Sequence, residues 1–485
     1  MDWILGLSFL ALLGLLIFLM EYVRKILNIN SEITRKFVHL ITGICIAVSP
    51  FVMQSKLPVL AIAFIFIPID YYAIERNLLK SLHDTRRKSY GTVFYPLAFF
   101  ILVYFLWDNY VSVLVASTLV LAIADTLAAF LGNHVKNPLT YILGSEKKSV
   151  QGSLTMLIFS AAIVLCCLQC LTPIPLSYSI GYALITAIIA TVCESVSFKG
   201  SDNLTVPLGS AFTMHFLISH HPHYQTFLLG IVLALILAIL SYRARFLDGG
   251  GSASMFILGV LVFGTGGWKF SLPILTFYLT SSIISKLGKT KKKRLTDTFQ
   301  KSSRRDLWQV LANGGVAGLM VILWNYFPHE ILYYMFVGAI AAANADTWAT
   351  EIGIFSKSAP RHILTFNRVP IGASGGVSPI GTTGALIGSA VVAFVTLFFI
   401  RNLFIVLLIT LAGFIGSIID SIIGGTIQVQ YRCPNCKKIT EKTMHCISYP
   451  TVIVSGIAWI DNDIVNTFCT VAGALVTGIL VYIYI

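Results

Sequence analysis

The stretch Ile4–Met20 reads ILGLSFLALLGLLIFLM and carries no charged side chain. As a helix it is long enough to cross the roughly 30 Å of hydrocarbon in a lipid bilayer. Comparable blocks recur along the chain, for example Leu154–Leu168 and Phe227–Leu240. Of the 485 residues, 56% are apolar and 11% are charged, whereas average soluble domains carry about 25% charged residues. This composition excludes a soluble enzyme, a coiled coil and a disordered chain, and it predicts an all-α, polytopic integral membrane protein.

The connections between the apolar blocks differ in charge. Blocks separated by charged or Pro/Gly-rich breaks predict about sixteen membrane spans. Of the 34 Lys and Arg residues, only Lys56, Lys269 and Arg401 lie near one predicted side, which leaves 31 on the other. The positive-inside rule therefore predicts cytoplasmic basic connections and an N-terminus outside. This bias accounts for the net charge of +13, so we predict no nucleic-acid partner.

Carboxylates at membrane depth cost roughly 2.5–3.5 kcal/mol on insertion scales and therefore mark functional candidates. Asp125-Thr126 follows small residues at the predicted cytoplasmic end of one span, and Asp346-Thr347 does the same in the second half. Each is followed by an acid beside a serine and then by an acid beside an asparagine, namely Glu194 and Asp202 in the first half and Asp420 and Asp461 in the second. The pattern predicts two tandem helical domains of similar plan, 1–225 and 226–485, related as parallel repeats.

Two segments near these acids suit a phosphate ligand. Mg²⁺ prefers one or two carboxylates together with phosphate oxygens and waters. In the first half, Lys147–Ser149 precedes Gly152 at a predicted helix start, where ammonium groups and backbone amides can hold phosphate. In the second half, Arg368 precedes the glycine-rich loop Gly372–Gly376, whose backbone can form an anion-binding nest. If these segments do not bind phosphate, the two lysines act only as a signal for membrane topology, and the glycines form a flexible loop.

A cysteine insert, residues 430–447, interrupts the second half. It contains Cys433-Pro-Asn-Cys436 and the adjacent pair His445-Cys446. A Cys-x₂-Cys knuckle is typical of structural zinc sites, which are tetrahedral and take Cys and His ligands. An adjacent second pair is unusual for zinc. Zinc held by these four residues is therefore one hypothesis, and a metal-free cytoplasmic turn is the other.

Four motifs accompany the acids of the first half. They are Glu32-Ile-Thr-Arg-Lys-Phe-Val-His39, Asp125-Thr, Lys147-Lys-Ser-Val-Gln-Gly152 and Gly200-Ser-Asp-Asn-Leu-Thr-Val-Pro207. In combination they resemble the phytol kinase/dolichol kinase family, which is related to the CTP-using phosphatidate cytidylyltransferases. The resemblance covers roughly Ser31–Met214.

The second half carries motifs of a different family. They include DGGGSA from Asp248, RDLWQVLANGG from Arg305, ADTWATEIG from Ala345, GASGGVS from Gly372 and WIDND from Trp459. These stretches resemble the family that contains plant phytyl-phosphate kinase. The joined resemblance implies two consecutive reactions: an isoprenoid alcohol such as phytol or geranylgeraniol is phosphorylated to the monophosphate, and the monophosphate to the diphosphate. It implies CTP or another nucleoside triphosphate as donor, with Mg²⁺.

The residues and the resemblance together predict the two sites, both on the cytoplasmic side. Catalytic carboxylates are expected at Asp125, Glu194, Asp202, Asp346, Glu351, Asp420 and Asp461. The expected Mg²⁺ ligands are Asp125, Glu194, Asp202, Asp346, Asp420, Asp461 and Asp463. Nucleotide-binding residues are expected at Arg35, Lys36, His39, Lys147, Lys148, Ser149, Gly152, Asn203, Arg368, Ser374, Gly375, Gly376 and Asn462. For Arg35, Lys36 and His39, the alternative is a membrane anchor whose polar ends reach the interface.

Two other classes of protein share parts of this pattern. A CTP-dependent cytidylyltransferase that forms a CDP-lipid would use the same acids and lysines, so the product alone separates it from a kinase. A transporter with parallel repeats is the other alternative. Transporter sites usually lie near the bilayer midplane, whereas these acids lie at the predicted cytoplasmic ends of spans.

Overall fold

The computed structural model describes residues 1–28, 31–76, 89–143, 146–220, 224–287, 304–446 and 449–485. Two of the basic connections on which the sidedness prediction depends fall largely in 77–88 and 288–303, outside the described residues. The described chain forms two compact units, Met1–Tyr224 and Gln225–Ile485. The boundary expected from the sequence followed residue 225. The assignment of one activity to each unit stays a prediction.

Long helices build the first unit. Its elements are α1 (Asp2–Leu27), α2 (Ser31–Val52), α3 (Leu57–Glu75), α4 (Gly91–Leu106), α5 (Val111–Leu119), α6 (Thr126–His134), the hairpin strands β1 (Thr140–Leu143) and β2 (Glu146–Ser149), α7 (Val150–Leu171), α8 (Leu176–Val196) and α9 (Asp202–Ser219). A π-helical segment, Val120–Asp125, joins α5 to α6 and makes them one continuous rod. Short π-helical stretches inside α-helices are frequent at functional sites.

The second unit is also built mainly from long helices, and it contains several short strands. Its elements are α10 (Tyr224–Arg243), α11 (Gly249–Gly259), a π-helical segment (Val260–Thr265), α12 (Gly266–Leu287), α13 (Leu307–Tyr326), α14 (Glu330–Gly353), β3 (Arg361–His362), β4 (Gly376–Val377), α15 (Pro379–Val395), a 3₁₀ turn (Thr396–Phe398), α16 (Leu403–Thr426), β5 (Gln430–Arg432), β6 (Ile439–Thr440), β7 (Met444–His445), β8 (Tyr449–Pro450), β9 (Val452–Ser455) and α17 (Asn462–Tyr484).

The helices confirm the membrane class. In the described part of the chain, 12 helices are long and apolar enough to span a membrane, with Gly249–Lys286 taken as one. That stretch bends at Gly267, whose φ of 61° is not helical. The predicted number of about sixteen spans is therefore approximate, because the described chain reaches sixteen only when the two arms of this stretch are counted separately and α4, α9 and α14, which are outside the twelve, are included. The strands lie in the connections between these helices.

Within the first unit, the connections expected on the outer side meet at one end. The Asp2 carboxylate accepts a hydrogen bond from the backbone N–H of Ser55 at 2.7 Å. Lys56 pairs with Asp108 at 2.5 Å, in the next short connection. The Ser219 hydroxyl, at the end of α9, donates to the Tyr110 hydroxyl at 3.2 Å. These contacts group the weakly charged connections, as the sequence predicts, while the choice of membrane face stays a prediction.

Helix α14 is the centre of the second unit. It packs against α12, α13, α15, α16 and α17. Its middle, from Gly338 to Ala345, consists of small and apolar residues apart from Asn344, and this segment is fully buried. Small side chains allow neighbouring helix backbones to approach closely, which is how helices pack in a membrane, where burial of apolar surface drives little association. The cluster around Phe270, Tyr333 and Phe336 forms the apolar core at the other end of this helix.

Candidate active sites

A close helix approach creates the first site. A side chain on Gly43 of α2 would collide with Ala122 in the π-helical segment, so only glycine permits this contact. Lys36 lies two helical turns before Gly43, and Asp125 follows Ala122 by three residues. Their side chains meet in an ion pair between Lys36 Nζ and Asp125 Oδ2, with 15% and 6% of the side chains exposed. The sequence predicted both residues, but not that they pair with each other.

The β1–β2 hairpin brings a second lysine to the acids. Lys148 Nζ donates to Glu194 Oε1 at 2.7 Å and to the Ser197 hydroxyl at 3.1 Å. Burial lowers the pKa of Lys148, but the carboxylates of Glu194, Asp202 and Asp125 more than offset it and raise this pKa to about 12. The ammonium group therefore stays charged at neutral pH. The three predicted acids of the first half therefore all act electrostatically on this one cation, and Glu194 contacts it.

The two lysines of the hairpin take different directions. Successive side chains of a strand point to opposite faces, and Lys147 is exposed whereas Lys148 is partly buried. The next residue, Ser149, caps α7, because its hydroxyl accepts a hydrogen bond from the backbone N–H of Gly152 at 3.1 Å. The structure thus gives Ser149 and Gly152 a role at the helix start. Their contact with a nucleotide stays a prediction.

Asn203 connects two helix starts. Its side-chain amide donates to the backbone carbonyl of Gly91 at 2.8 Å, and Asp202 Oδ1 accepts from the backbone N–H of Asn203 at 3.1 Å. The contact links the beginning of α9 to that of α4. On α2, the Nε atom of Arg35 is buried and has no hydrogen-bond partner among the described residues. A buried guanidinium donor without a protein acceptor is consistent with a phosphate or nucleotide acceptor.

His39 differs from the other residues of its motif. It is buried and stacks on Tyr95, with 4.2 Å between ring centroids, and the Tyr95 hydroxyl donates to the His39 backbone carbonyl at 2.5 Å. The ring lines an apolar cavity with an empty volume of about 710 Å³, counted with its open mouth. The walls come from α1 to α4 and include Phe9, Leu13, Ile46, Val59, Phe66 and Phe99.

The cavity has a small polar portion that the sequence did not reveal. Besides His39 and Tyr95, it is lined by Asp70 and Thr92. Asp70 is 7% exposed and had no predicted role. The available signal was an acid toward the end of the otherwise apolar α3. The cavity lies close to the acids, since His39 is one turn from Lys36 on α2 and Tyr95 interacts electrostatically with Asp125.

Two helix crossings create the second site. Side chains on Gly416 of α16 or Gly473 of α17 would lie 2.7 Å and 2.5 Å from the Cβ of Ala342 on α14. One turn beyond this contact, Asp346 on α14 and Asp420 on α16 face each other, and their carboxyl groups interact directly. Asp420 Oδ2 is buried without a hydrogen-bond partner in the described part of the chain. Adjacent buried carboxylates repel unless a cation or a shared proton lies between them, so this pair needs either a shared proton or a cation such as Mg²⁺.

Glu351 extends the second site along α14. Ser285 Oγ donates to Glu351 Oε1 at 2.8 Å. Arg305 lies nearby: burial lowers the pKa of its guanidinium, while the Glu351 carboxylate opposes that shift. Sequence reasoning gave Arg305 no role, although its motif was part of the family resemblance. The structure places this cation beside a predicted catalytic acid.

The glycine-rich loop packs against the end of α16. Gly375 has a φ of 73°, and a side chain there would collide with Gly425 and lie 3.1 Å from the Ser421 carbonyl. The loop thus lies beside the helical turn that follows Asp420. Ser374 Oγ donates to Glu441 Oε1 at 3.0 Å. Arg368 is exposed on the strand-like segment that precedes the loop.

Asp461 and Asp463 lie at the start of α17, and Asp461 has a clear structural function there. Asp461 caps α17, because its Oδ1 accepts from the backbone N–H groups of Asp463 and Ile464, both at 3.1 Å. Asn462 is partly buried at the first position of this helix, and Asp463 is buried. A helix cap accounts for an acid at position 461 without catalysis. Metal or nucleotide binding by these three residues stays a prediction.

The cysteine insert belongs to a small β structure that runs from Gln430 to Ser455, beyond the predicted end at residue 447. The ligand atoms of Cys433, Cys436, His445 and Cys446 all lie within 4.8 Å of one another. The backbone N–H of Cys436 lowers the pKa of Cys433 to about 6, although burial opposes this shift. The predicted group of four is therefore brought together.

The fold and the two sites define a polytopic helical membrane protein whose buried acids lie beside buried cations at one end of each unit. The family model of the integral membrane protein DUF92 matches residues 232–474, half of the chain, and the chain belongs to this family. No solved structure matches it.

Individual relatives cover different shares of the chain. It is 32% identical to Protein PGR of Arabidopsis thaliana over 52% of this chain and 96% of the relative. It is 34% identical to phytol kinase of Synechocystis over 41% of this chain and 85% of the relative. An uncharacterized membrane protein of Methanocaldococcus jannaschii is 28% identical over 52% of this chain and 92% of the relative.

Proposed function

We propose that the chain is a membrane isoprenoid kinase with two sites. The first unit phosphorylates an isoprenoid alcohol to the monophosphate, and the second unit converts the monophosphate to the diphosphate, with CTP or another nucleoside triphosphate as donor. The similarity to phytol kinase supports the class of reaction. The observation that carries the substrate class is the apolar cavity whose polar portion lies beside the Lys36–Asp125 pair.

The cavity suits a long apolar substrate that carries one hydroxyl group. It is a concave, mostly apolar site with a few polar groups, which is typical of small-molecule sites. Apolar side chains from four helices form most of the lining. The polar group His39 lies on α2, which also carries Lys36, and Thr92 and Tyr95 lie on α4, whose first residue Gly91 contacts Asn203. An isoprenoid tail in this cavity directs its hydroxyl toward Lys36 and Asp125.

At the first site, the alcohol oxygen attacks the γ-phosphorus of the nucleotide. A bond forms between these two atoms, the bond from the γ-phosphorus to the bridging oxygen breaks, the nucleoside diphosphate leaves, and Asp125 accepts the hydroxyl proton. Lys148 and Arg35 neutralise phosphate charge. Mg²⁺, held by Asp125, Glu194 and Asp202, would stabilise charge on the phosphates. Such transfers depend mainly on positioning and electrostatics.

At the second site, the acceptor is a phosphate monoester, which is already ionised and needs no general base. Arg305 supplies positive charge next to Glu351, and the backbone of the glycine-rich loop offers N–H donors. Asp346 and Asp420 would hold Mg²⁺, which would offset negative charge on the phosphates. An oxygen of the lipid phosphate forms a bond to the γ-phosphorus of the nucleotide, the bond from the γ-phosphorus to the bridging oxygen breaks, and the nucleoside diphosphate leaves.

The position of the label in the donor tests the proposed reaction. Purified protein is incubated with phytol and CTP that is labelled either at the α- or at the γ-phosphorus. We expect γ-label, and no α-label, in a lipid monophosphate and a lipid diphosphate. Lipid labelled from the α-position would show a cytidylyltransferase and contradict the proposal, as would the absence of any labelled lipid with CTP, UTP and ATP.

The cavity predicts a dependence on chain length. Ala63 lines the cavity on α3, and Ala63→Phe fills part of the space that the tail needs. Loss of burial of two methylene groups costs about 1.6 kcal/mol, or roughly tenfold in binding. We expect kcat/KM to fall about tenfold for a C20 alcohol and much less for a C10 alcohol. Equal losses for both alcohols would contradict this assignment, and the retained activity on the C10 alcohol serves as the folding control for the first unit.

The proposed sidedness predicts opposite labelling of two positions. Lys56→Cys and Lys136→Cys are introduced separately into a chain whose nine native cysteines are replaced. In intact cells, a membrane-impermeant maleimide is expected to label position 56 and to leave position 136 unlabelled until the cells are opened. Labelling of both, or the reverse pattern, contradicts cytoplasmic basic connections.

A further inference from the structure

The β structure around the cysteine insert has almost no apolar interior. Its strands contain two to four residues each, and all of β9 is exposed. In the described residues from 430 to 455, the buried positions are Cys433, Thr440 and His445. A segment this small rarely stabilises itself by apolar burial alone and usually needs a disulfide or a metal. Here two of the three buried residues are members of the Cys/His group.

The backbone arranges the first pair as a knuckle. The N–H of Lys437 donates to the Cys433 carbonyl at 2.9 Å, and the N–H of Cys433 donates to the Lys438 carbonyl at 3.0 Å. Lys437 has a φ of 60°, which turns the chain back between β5 and β6. The knuckle thereby directs both thiol groups of the Cys-x₂-Cys motif to one side.

The adjacent second pair is accommodated by a turn. Cys446 has a φ of 48°, so it leaves the strand that ends at His445 and its sulfur returns toward the same centre. His445 Nδ1 lies 3.4 Å from Cys436 Sγ and 3.2 Å from Cys446 Sγ. In a tetrahedral zinc site with Zn–S bonds of about 2.3 Å and Zn–N bonds of about 2.0–2.1 Å, a sulfur and a nitrogen are about 3.6 Å apart. The observed spacing suits a single ion.

The insert also reaches the second site. Glu441 lies between the two ligand pairs in sequence, and its Oε1 accepts from Ser374 of the glycine-rich loop at 3.0 Å and from the buried Gln428 at 2.9 Å. Gly375, the next residue of that loop, packs beside the turn after Asp420. A rigid insert therefore fixes one side of the loop.

We propose that Cys433, Cys436, His445 and Cys446 bind one Zn²⁺ ion, and that this ion holds the insert in the position from which Glu441 fixes the glycine-rich loop. The ion is structural, because all four coordination positions are taken by protein ligands. Glu441 is a positioning residue. The metal site does not depend on which reaction the protein catalyses.

Metal analysis of the purified full-length protein tests the site. We expect about one zinc per chain in the wild type and close to none in Cys433→Ser and Cys446→Ser. Cys170→Ser is the matched control, because Cys170 is an exposed cysteine of the first unit, and it should retain the metal. A wild type without zinc, with iron in its place, or with a Cys433–Cys436 disulfide would overturn the proposal, as would full zinc content in both insert variants.

Hydrogen exchange tests the positioning role without reference to activity. In Cys433→Ser, amides in residues 370–377 should exchange faster than in the wild type. Glu441→Gln should retain zinc and still show faster exchange there, whereas Thr443→Ala, at an exposed position of the same insert, should match the wild type. Unchanged exchange in both Cys433→Ser and Glu441→Gln would refute the link to the loop, even if zinc is present.

Discussion

The Asp346→Asn variant should convert an isoprenoid alcohol to the monophosphate at the wild-type rate and stop there. Asp346 faces Asp420 across the contact between α14 and α16, where the two carboxylates suit a cation bound to phosphate. An amide removes one negative charge and one metal ligand. Loss of a single preorganised electrostatic group typically costs about 10²–10³ in kcat. We expect at least this loss in formation of the diphosphate, measured by chromatography of the labelled lipid products.

The same helix offers a matched control for that variant. Glu330 begins α14 and pairs with Lys269 at 2.8 Å, at the end of the helix opposite to Asp346. Glu330→Gln removes a carboxylate from the same element and should leave both steps unchanged. Equal loss of diphosphate formation in Glu330→Gln would indicate a general effect on α14 folding and would contradict a local role of Asp346.

The Asp125→Asn variant should have the complementary defect. Asp125 pairs with Lys36 and contributes to the electrostatic environment of Lys148. The substitution removes the carboxylate proposed to accept the hydroxyl proton and to bind Mg²⁺, so the alcohol step should fall at least about 10²-fold. Phosphorylation of added isoprenyl monophosphate should persist, which also shows that the second unit is folded.

Asp108→Asn is the control in the first unit. Asp108 also pairs with a lysine, Lys56, but at the other end of the unit. Both substitutions break an acid–lysine pair, and only Asp125→Asn should affect the alcohol step. If Asp125→Asn retains full alcohol phosphorylation, the first site is not at the Lys36–Asp125 pair.

Much of the architecture follows from composition and periodicity. The bilayer sets the length of each apolar block, so about sixteen segments could be predicted from the sequence alone. The acids at Asp125, Asp346 and Asp420 were predicted because charge at membrane depth is costly. The Cys/His group was recognised because its four ligands are close in sequence.

Other features depend on tertiary contacts that leave little trace in the sequence. The pairing of Lys36 with Asp125 requires Gly43 to meet Ala122, residues far apart in the chain. The π-helical segment that ends at Asp125 has no simple sequence signal. The cavity is formed by residues from four helices that each look like an ordinary span.

The contacts give some residues a role that the sequence did not indicate. Asp461 is a helix cap, which its position before α17 explains without any ligand. His39 lines the cavity and stacks on Tyr95. Arg305 has a candidate role because it is buried beside Glu351. The spacing of these two residues in the sequence does not indicate that they are close.

Mixing two variants tests the central claim of two separate sites most directly. Asp125→Asn and Asp346→Asn proteins are purified, combined in one detergent solution with an isoprenoid alcohol and the nucleotide, and compared with each protein alone and with the double variant. We predict that the mixture forms diphosphate, because monophosphate made by Asp346→Asn is used by Asp125→Asn. The single variants should form none from the alcohol. If the mixture forms no diphosphate although each variant retains its own step, or if either variant alone completes both steps, the two-site account is contradicted.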